Sequence, residues 1–354
     1  MAEAQTAPAR SVEWSQQAAA DYLDTRQSWW MSWPRSARDH GTSCVSCHTT
    51  LPYALARPAL RTALGETGPT IPEAHLLEGV RKRVALWNEV DPFYPDQTVG
   101  LPKTSESRGT EAILNALILA SYDGHEGRLT SDTRQAFENL WKLQFTRGQE
   151  VGAWAWLRFG LAPWESDGAA YYGAALAAVA VGVAPNDYAA LAEIQERLAL
   201  LVAYLREDAE SRPPFDRVML LWASTELSGL LTSDEQQDII RDVVGLQLSD
   251  HGWSLTSLRP WDRQDGSSPD RTSDGYATAL IAYVLQQAGV APTQQNMRAA
   301  LAWLVTNQDS LSGQWPAASV NKERDPTSDT GRFMSDAATG FAVLALTRAA
   351  PSNE

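Results

Sequence analysis

Cysteine and histidine are scarce in this chain: its 354 residues hold two of the first and five of the second. Two cysteines cannot build the disulfide framework of a small secreted domain, and no second Cys/His pair exists to complete a structural zinc site. Basic residues are also in deficit, with 29 Lys and Arg against 43 Asp and Glu and a formal net charge of -14. Such a surface repels phosphate backbones and anionic headgroups, which argues against nucleic acid as a partner. No apolar run approaches the roughly 20 residues that span a bilayer, so no transmembrane segment is expected. The opening residues, Met1-Ala2-Glu3-Ala4-Gln5, lack the basic and apolar regions of a secretory signal.

What is present is concentrated. Both cysteines fall in one pentapeptide, Cys44-Val45-Ser46-Cys47-His48. Cys-x-x-Cys-His is the attachment pattern for haem c. Two thiols three apart reach two neighbouring vinyl groups, and the following imidazole falls under the ring as an iron ligand. A thioredoxin-like redox pair would need a strand before it and a helix after it in a βαβ pattern, which is absent here. A disulfide across so short a gap would be strained. The segment therefore predicts one covalently attached haem c held by Cys44, Cys47 and His48, with His48 on the iron. Met31 and His40, near in sequence, are the candidate sixth ligands; Met334 is a more distant one. Haem c is attached outside the cytoplasm in bacteria, so the motif carries an expectation of a periplasmic or otherwise exported chain.

Residues after about 105 repeat with a spacing of about 50–60. Ser166-Asp167-Gly168-Ala169-Ala170, Ser273-Asp274-Gly275-Tyr276-Ala277 and Ser335-Asp336-Ala337-Ala338-Thr339 each open an apolar stretch of helical length. A Ser-Asp pair at a helix start can satisfy free N–H groups and complement the positive end of the dipole. Stretches apolar all round are buried on all sides. Amphipathic helices at roughly 131–144, 187–207, 233–247 and 294–306 alternate with them, so the pattern predicts an inner and an outer ring. A second repeated element joins the two kinds of helix: Gln149 to Trp154, Gln247 to Trp253 and Gln308 to Trp315.

Gln, a glycine turn, Trp and then a helix of small residues resembles the QW repeat of squalene–hopene cyclases and related terpenoid cyclases. The resemblance covers roughly residues 105–350. It implies an all-α fold, an alpha/alpha toroid, in which the repeat's Gln and Trp are structural. Residues 105–354 are then the toroid. Residues 1–104 form a small N-terminal helical segment, with a helix from Glu13 to Trp30, that bears the haem and closes the ring.

The acid motif of that family, Asp-x-Asp-Asp, is absent. Its nearest remnant is Glu165-Ser166-Asp167, where two carboxylates at a spacing of two could share a proton, although helix capping accounts for them as well. Asp167, Glu165, Asp274 and Asp336 are the candidate catalytic acids, and with Glu111 and Asp216 they predict a carboxylate rim over an apolar funnel. Together these features predict an exported mono-haem c-type cytochrome, an oxidoreductase or electron-transfer protein. Its toroid would take a hydrophobic small molecule or isoprenoid and its haem a redox partner protein. The alternatives are a cyclase-like isomerase or lyase with a structural haem, a toroid glycosidase, and a non-catalytic haem sensor or binding module.

Overall fold

The computed structural model describes residues 13–96 and 103–350. Thirteen α-helices run through them. In chain order they are α1 (Gln16–Ser32), α2 (Thr50–Leu64), α3 (Ile71–Ala85), α4 (Lys103–Glu126), α5 (Ser131–Leu143), α6 (Ala170–Val183), α7 (Gln195–Arg206), α8 (Pro214–Glu226), α9 (Ser233–Gly245), the single turn α10 (Leu255–Leu258), α11 (Gly275–Gln287), α12 (Gln295–Thr306) and α13 (Phe333–Ala349). Among the described residues the one sheet is a two-residue ribbon, β1 (Ala37–Arg38) against β2 (Thr42–Ser43). No described helix is long and apolar enough to cross a membrane.

Helix composition separates the two layers. Ala170 to Val181 of α6 are all buried, as are Ala337 to Leu346 of α13. α5 and α9 bury one stripe each and begin on threonine side-chain caps, Thr130 and Thr232. The apolar helices form a closed ring: α2 packs on α4, α4 on α6, α6 on α8, α8 on α11, α11 on α13, and α13 back on α2. α1, α3, α5, α7, α9 and α12 lie outside it. The fold is the all-α toroid expected, with six inner and six outer helices. Residue 104 does not divide two bodies, because α2 is itself one of the inner helices. Residues 105–354 alone would leave the ring open between α4 and α13.

Close approach explains the small residues. A methyl group on Gly340 of α13 would sit 2.6 Å from the Pro52 side chain of α2, at the closing contact of the ring. One on Gly173 would collide with the Trp156 ring.

The Trp repeat ties the layers together. Trp154, Trp253 and Trp315 are buried, and each indole N–H donates to a carbonyl near the end of the preceding outer helix: Leu140 at 2.8 Å, Val243 at 2.8 Å and Leu304 at 2.7 Å. Gln247 donates to His251 O and Asn296 O, the second at the start of α12. Gln308 donates to Gly313 O and to Ser15 O, the residue that caps α1, so the last outer helix is joined to the first. The corresponding residue of the first repeat is Gln144, bonded to Gly152 O and Arg197 O at 3.0 Å each. Gln149 is exposed. The expected role of Gln149 is corrected here: the first turn is longer than the others, and the amide that spans it sits at the helix end.

Candidate functional site

All six inner helices start at the same end of the ring, so the loops before them form its mouth. The Cys-x-x-Cys-His strap precedes α2 and belongs to this mouth. It is fixed by the ribbon beside it, by Cys44 N–H donating to Ser36 O at 2.9 Å, and by the Trp30 indole donating to Cys44 O at 2.7 Å. The loop before α6 folds back on itself, with backbone bonds between Leu161 and Glu165 in both directions. The Trp156 indole donates to Trp164 O, and the Trp164 indole donates to the Tyr276 hydroxyl of α11. Straps from distant parts of the chain thus converge on a cavity of about 80 Å³ that includes Cys47, His48, Trp164, Glu165, Asn321 and Arg324 in its lining. That volume holds two or three water molecules, the size of a reacting group rather than of a whole ligand.

Glu165 is the notable group here. Its backbone is held at both N–H and C=O, yet among the described residues its carboxyl makes no hydrogen bond and no ion pair. Desolvation lifts its pKa to about 7, against a smaller lowering by Lys103. A carboxyl group so poised is partly protonated at neutral pH.

The other expected acids are committed elsewhere. Asp336 accepts from Arg26 Nε at 2.8 Å, Tyr22 OH at 2.8 Å and Thr49 Oγ1 at 2.6 Å. It lies in the first turn of α13 rather than at its cap. Asp274 does cap α11, accepting from Ala277 N–H at 2.9 Å and Leu255 N–H at 2.7 Å. Burial raises it to about 6 despite those donors. Asp167 is exposed and caps nothing; α6 begins without a side-chain cap. Glu111 is buried against Arg83 at 2.5 Å, two turns into α4, and Asp216 faces Arg259 at 3.7 Å. The expected rim of free carboxylates is therefore corrected: most of these acids hold the ring together, and Glu165 alone of them lines the small cavity without a partner.

His48 is also held in one state. Its Nδ1 lies 2.8 Å from Thr49 Oγ1, and that hydroxyl gives its hydrogen to Asp336. Thr49 must then accept from Nδ1–H, which leaves the Nε2 lone pair free. Burial, helped by the positive charges of Arg26 and Arg324, lowers His48 to about 3, so the imidazole is neutral. Phe333 stacks on its face at 3.8 Å. Cys44 and Cys47 are unpaired and buried, and burial pushes Cys44 up to about 11 and Cys47 well above its ordinary value. Two protonated thiols and a neutral imidazole with a free Nε2 lone pair are the donor set of haem c, with Cys44 lining a different cavity from Cys47 and His48. Of the sixth-ligand candidates, Met31 lines a separate cavity beside Cys44, and His40 is exposed in a left-handed turn. Met334 lines the cavity of His48.

No protein-family model matches the chain, and no curated protein matches its sequence. Solved structures do share the fold. A chain described as a wild-type glycosidase matches with a TM-score of 0.52 at 11% identity, covering 94% of this chain and 97% of its own. A variant glycosidase matches at 0.53 and 10% identity over the same shares. Another, in complex with glucose, matches at 0.50 and 10%. Likeness at such identity establishes the toroid.

These findings correct the expectation of an oxidoreductase or electron-transfer cytochrome with an isoprenoid-binding ring. The three solved chains named above, which share the ring over nearly its whole length, are described as glycosidases and not as cytochromes. Among the described residues no group of three or more His, Cys, Asp and Glu is placed to hold a metal ion. The sequence placed Glu165 among the candidate acids with capping as the competing role; Asn321 and Arg324, its neighbours in the cavity, carry no motif.

Proposed function

We propose that this protein is a carbohydrate-processing enzyme that uses Glu165 as its general acid at the mouth of the toroid. One observation carries the reading: an unpartnered carboxyl lifted to about 7, beside Trp164, Asn321 and Arg324 in a cavity at the mouth. A glycosidic oxygen leaves more easily when a carboxylic acid protonates it, and an acid near 7 is available to do so at neutral pH. An indole face suits the apolar face of a sugar ring, and amide and guanidinium groups suit its oxygens. The glycosidase descriptions of the solved chains that share the fold support the same substrate class. Asp167, exposed two residues further along the same loop, is the candidate second carboxylate. The test is a panel of glycosides and polysaccharides, read by new reducing ends and by the ultraviolet absorbance of unsaturated lyase products. Glu165→Gln should lower turnover about 100- to 10,000-fold, the usual contribution of a positioned acid. If no glycan in the panel is turned over, the reading is wrong. An isoprenoid belongs in the same panel as the ligand implied by the cyclase resemblance.

Haem c at Cys44, Cys47 and His48 we propose as a bound group only, with no step of this reaction running through it. The free thiols and the open Nε2 of His48 support it. Expression with export and c-type maturation should give a red protein whose colour survives acid-acetone; a colourless chain of unmodified mass refutes it.

A further inference from the structure

The 80 Å³ cavity of Glu165 is not isolated. Ser319, in its wall, also lines a neighbouring cavity of about 290 Å³ between the loops before α11 and α13. Arg263, in the wall of that second cavity, also lines a third of about 630 Å³ formed by the loop before α11. The same two residues hold the two loops together, since the Arg263 guanidinium donates to Ser319 O at 2.6 and 3.0 Å. The three spaces therefore adjoin in turn, sharing walls built from residues 246–274 and 307–332. The outermost space falls within the range of small-molecule sites, roughly 300–1,000 Å³, and the middle one lies just below it. The outermost is lined by the hydroxyls of Ser254, Thr256, Ser257, Ser267 and Ser268 and by Trp261. Trp261 is anchored by its indole N–H to Leu255 O at 3.3 Å and by an edge contact with Phe215. Hydroxyls and one fixed indole, with Asp262, Arg263 and Arg271 beside them as charged hydrogen-bonding groups, match a ring that carries many hydroxyls better than an apolar ligand. His48 and Phe333, stacked at 3.8 Å, line the cavity of Glu165 with it.

Resting on the carbohydrate reading above, we infer that the substrate is an oligosaccharide longer than a disaccharide. Its reacting end sits at Glu165, and its further units lie along these two loops as far as Trp261. Trp261 is then a positioning residue for the outer units and touches no reacting atom.

The test is a ladder of oligosaccharides of two to six units from the glycan that the panel identifies, or from cello-, xylo- and malto-series when none is turned over. Turnover is followed in the wild-type chain and binding by calorimetry in Glu165→Gln. kcat/KM and affinity should both rise at least ten-fold between the dimer and the tetramer. Trp261→Ala should abolish that rise through KM, with kcat and the dimer's kcat/KM within two-fold of wild type. Ser268→Trp, at an exposed position that tolerates bulk, should do the same by narrowing the outer space, and it keeps the test open should Trp261→Ala fold poorly. Binding and turnover independent of length, or variants that weaken dimer and tetramer equally, overturn the groove. So does the absence of binding by every oligosaccharide. Length-dependent binding without turnover upholds the groove and refutes the catalytic role of Glu165 instead.

Discussion

Glu165 and His48 share one cavity, and burial moves them in opposite directions, to about 7 and about 3. Near neutral pH the pair is therefore a part-protonated acid facing a neutral imidazole, and each has a pH signature. If Glu165 is the proton donor, turnover holds below about pH 7 and falls as pH rises through it; Glu165→Gln should lack that limb. The stability effects have opposite signs. A carboxyl raised to about 7 favours the folded state below its ordinary value, and that contribution is lost as pH rises toward 7. An imidazole lowered to about 3 contributes above its ordinary value of 6.5, and that contribution is lost as pH falls toward 3. Melting temperature measured against pH should thus show an acid-side slope that His48→Gln reduces. An unchanged slope would mean that the imidazole is not buried neutral.

The helix-to-helix ties are repeated, but their residues are not interchangeable. Trp253 and Trp315 each fill a core site and donate to the end of an outer helix. Trp253→Ala should cost about 3–5 kcal/mol in chemical denaturation, the usual loss for a large buried ring. Gln144→Ala should cost about 1–3 kcal/mol, because it leaves the carbonyls of Gly152 and Arg197 without their donor. Gln149→Ala should stay within about 0.5 kcal/mol, as expected for an exposed side chain away from any tie. Equal losses for the two glutamines would restore the register read from the repeat. The Ser-Asp pairs show the same divergence. Asp274 caps its helix, Asp336 turns inward to Arg26, and Asp167 stays in solvent. One dipeptide does three jobs because the helix begins at a different offset after each copy.

In the molecule as a whole, stability depends on closing the ring. α13 packs on α2, and Asp336 of α13 draws donors from Tyr22, Arg26 and Thr49 near the other end of the chain. A chain of residues 105–354 would expose the flanks of α4 and α13 and strip Asp336 of Tyr22, Arg26 and Thr49. It should show helical circular dichroism but no cooperative melt, whereas the full chain melts in one transition. A cooperative melt of the fragment would mean that five inner helices suffice.

The amino-acid sequence by itself determined the helical class, the two alternating kinds of helix, their repeat length and the structural use of Trp154, Trp253 and Trp315. Those follow from periodicity and local chemistry, which act over a few residues. It also marked Cys44, Cys47 and His48 as a unit, since the three are adjacent in the chain. Only the tertiary structure decided which acid is free. Asp336 and Glu165 read alike as carboxylates near helix starts, but Arg26, 310 positions away, neutralises one, and nothing comparable reaches the other. The sixth helix of the inner ring, the amide register of the first repeat and the row of cavities from Glu165 to Trp261 were likewise decided there. Each depends on which distant segments meet, and a carboxyl's charge, a glutamine's partner and a groove's walls are properties of that meeting rather than of the residues alone.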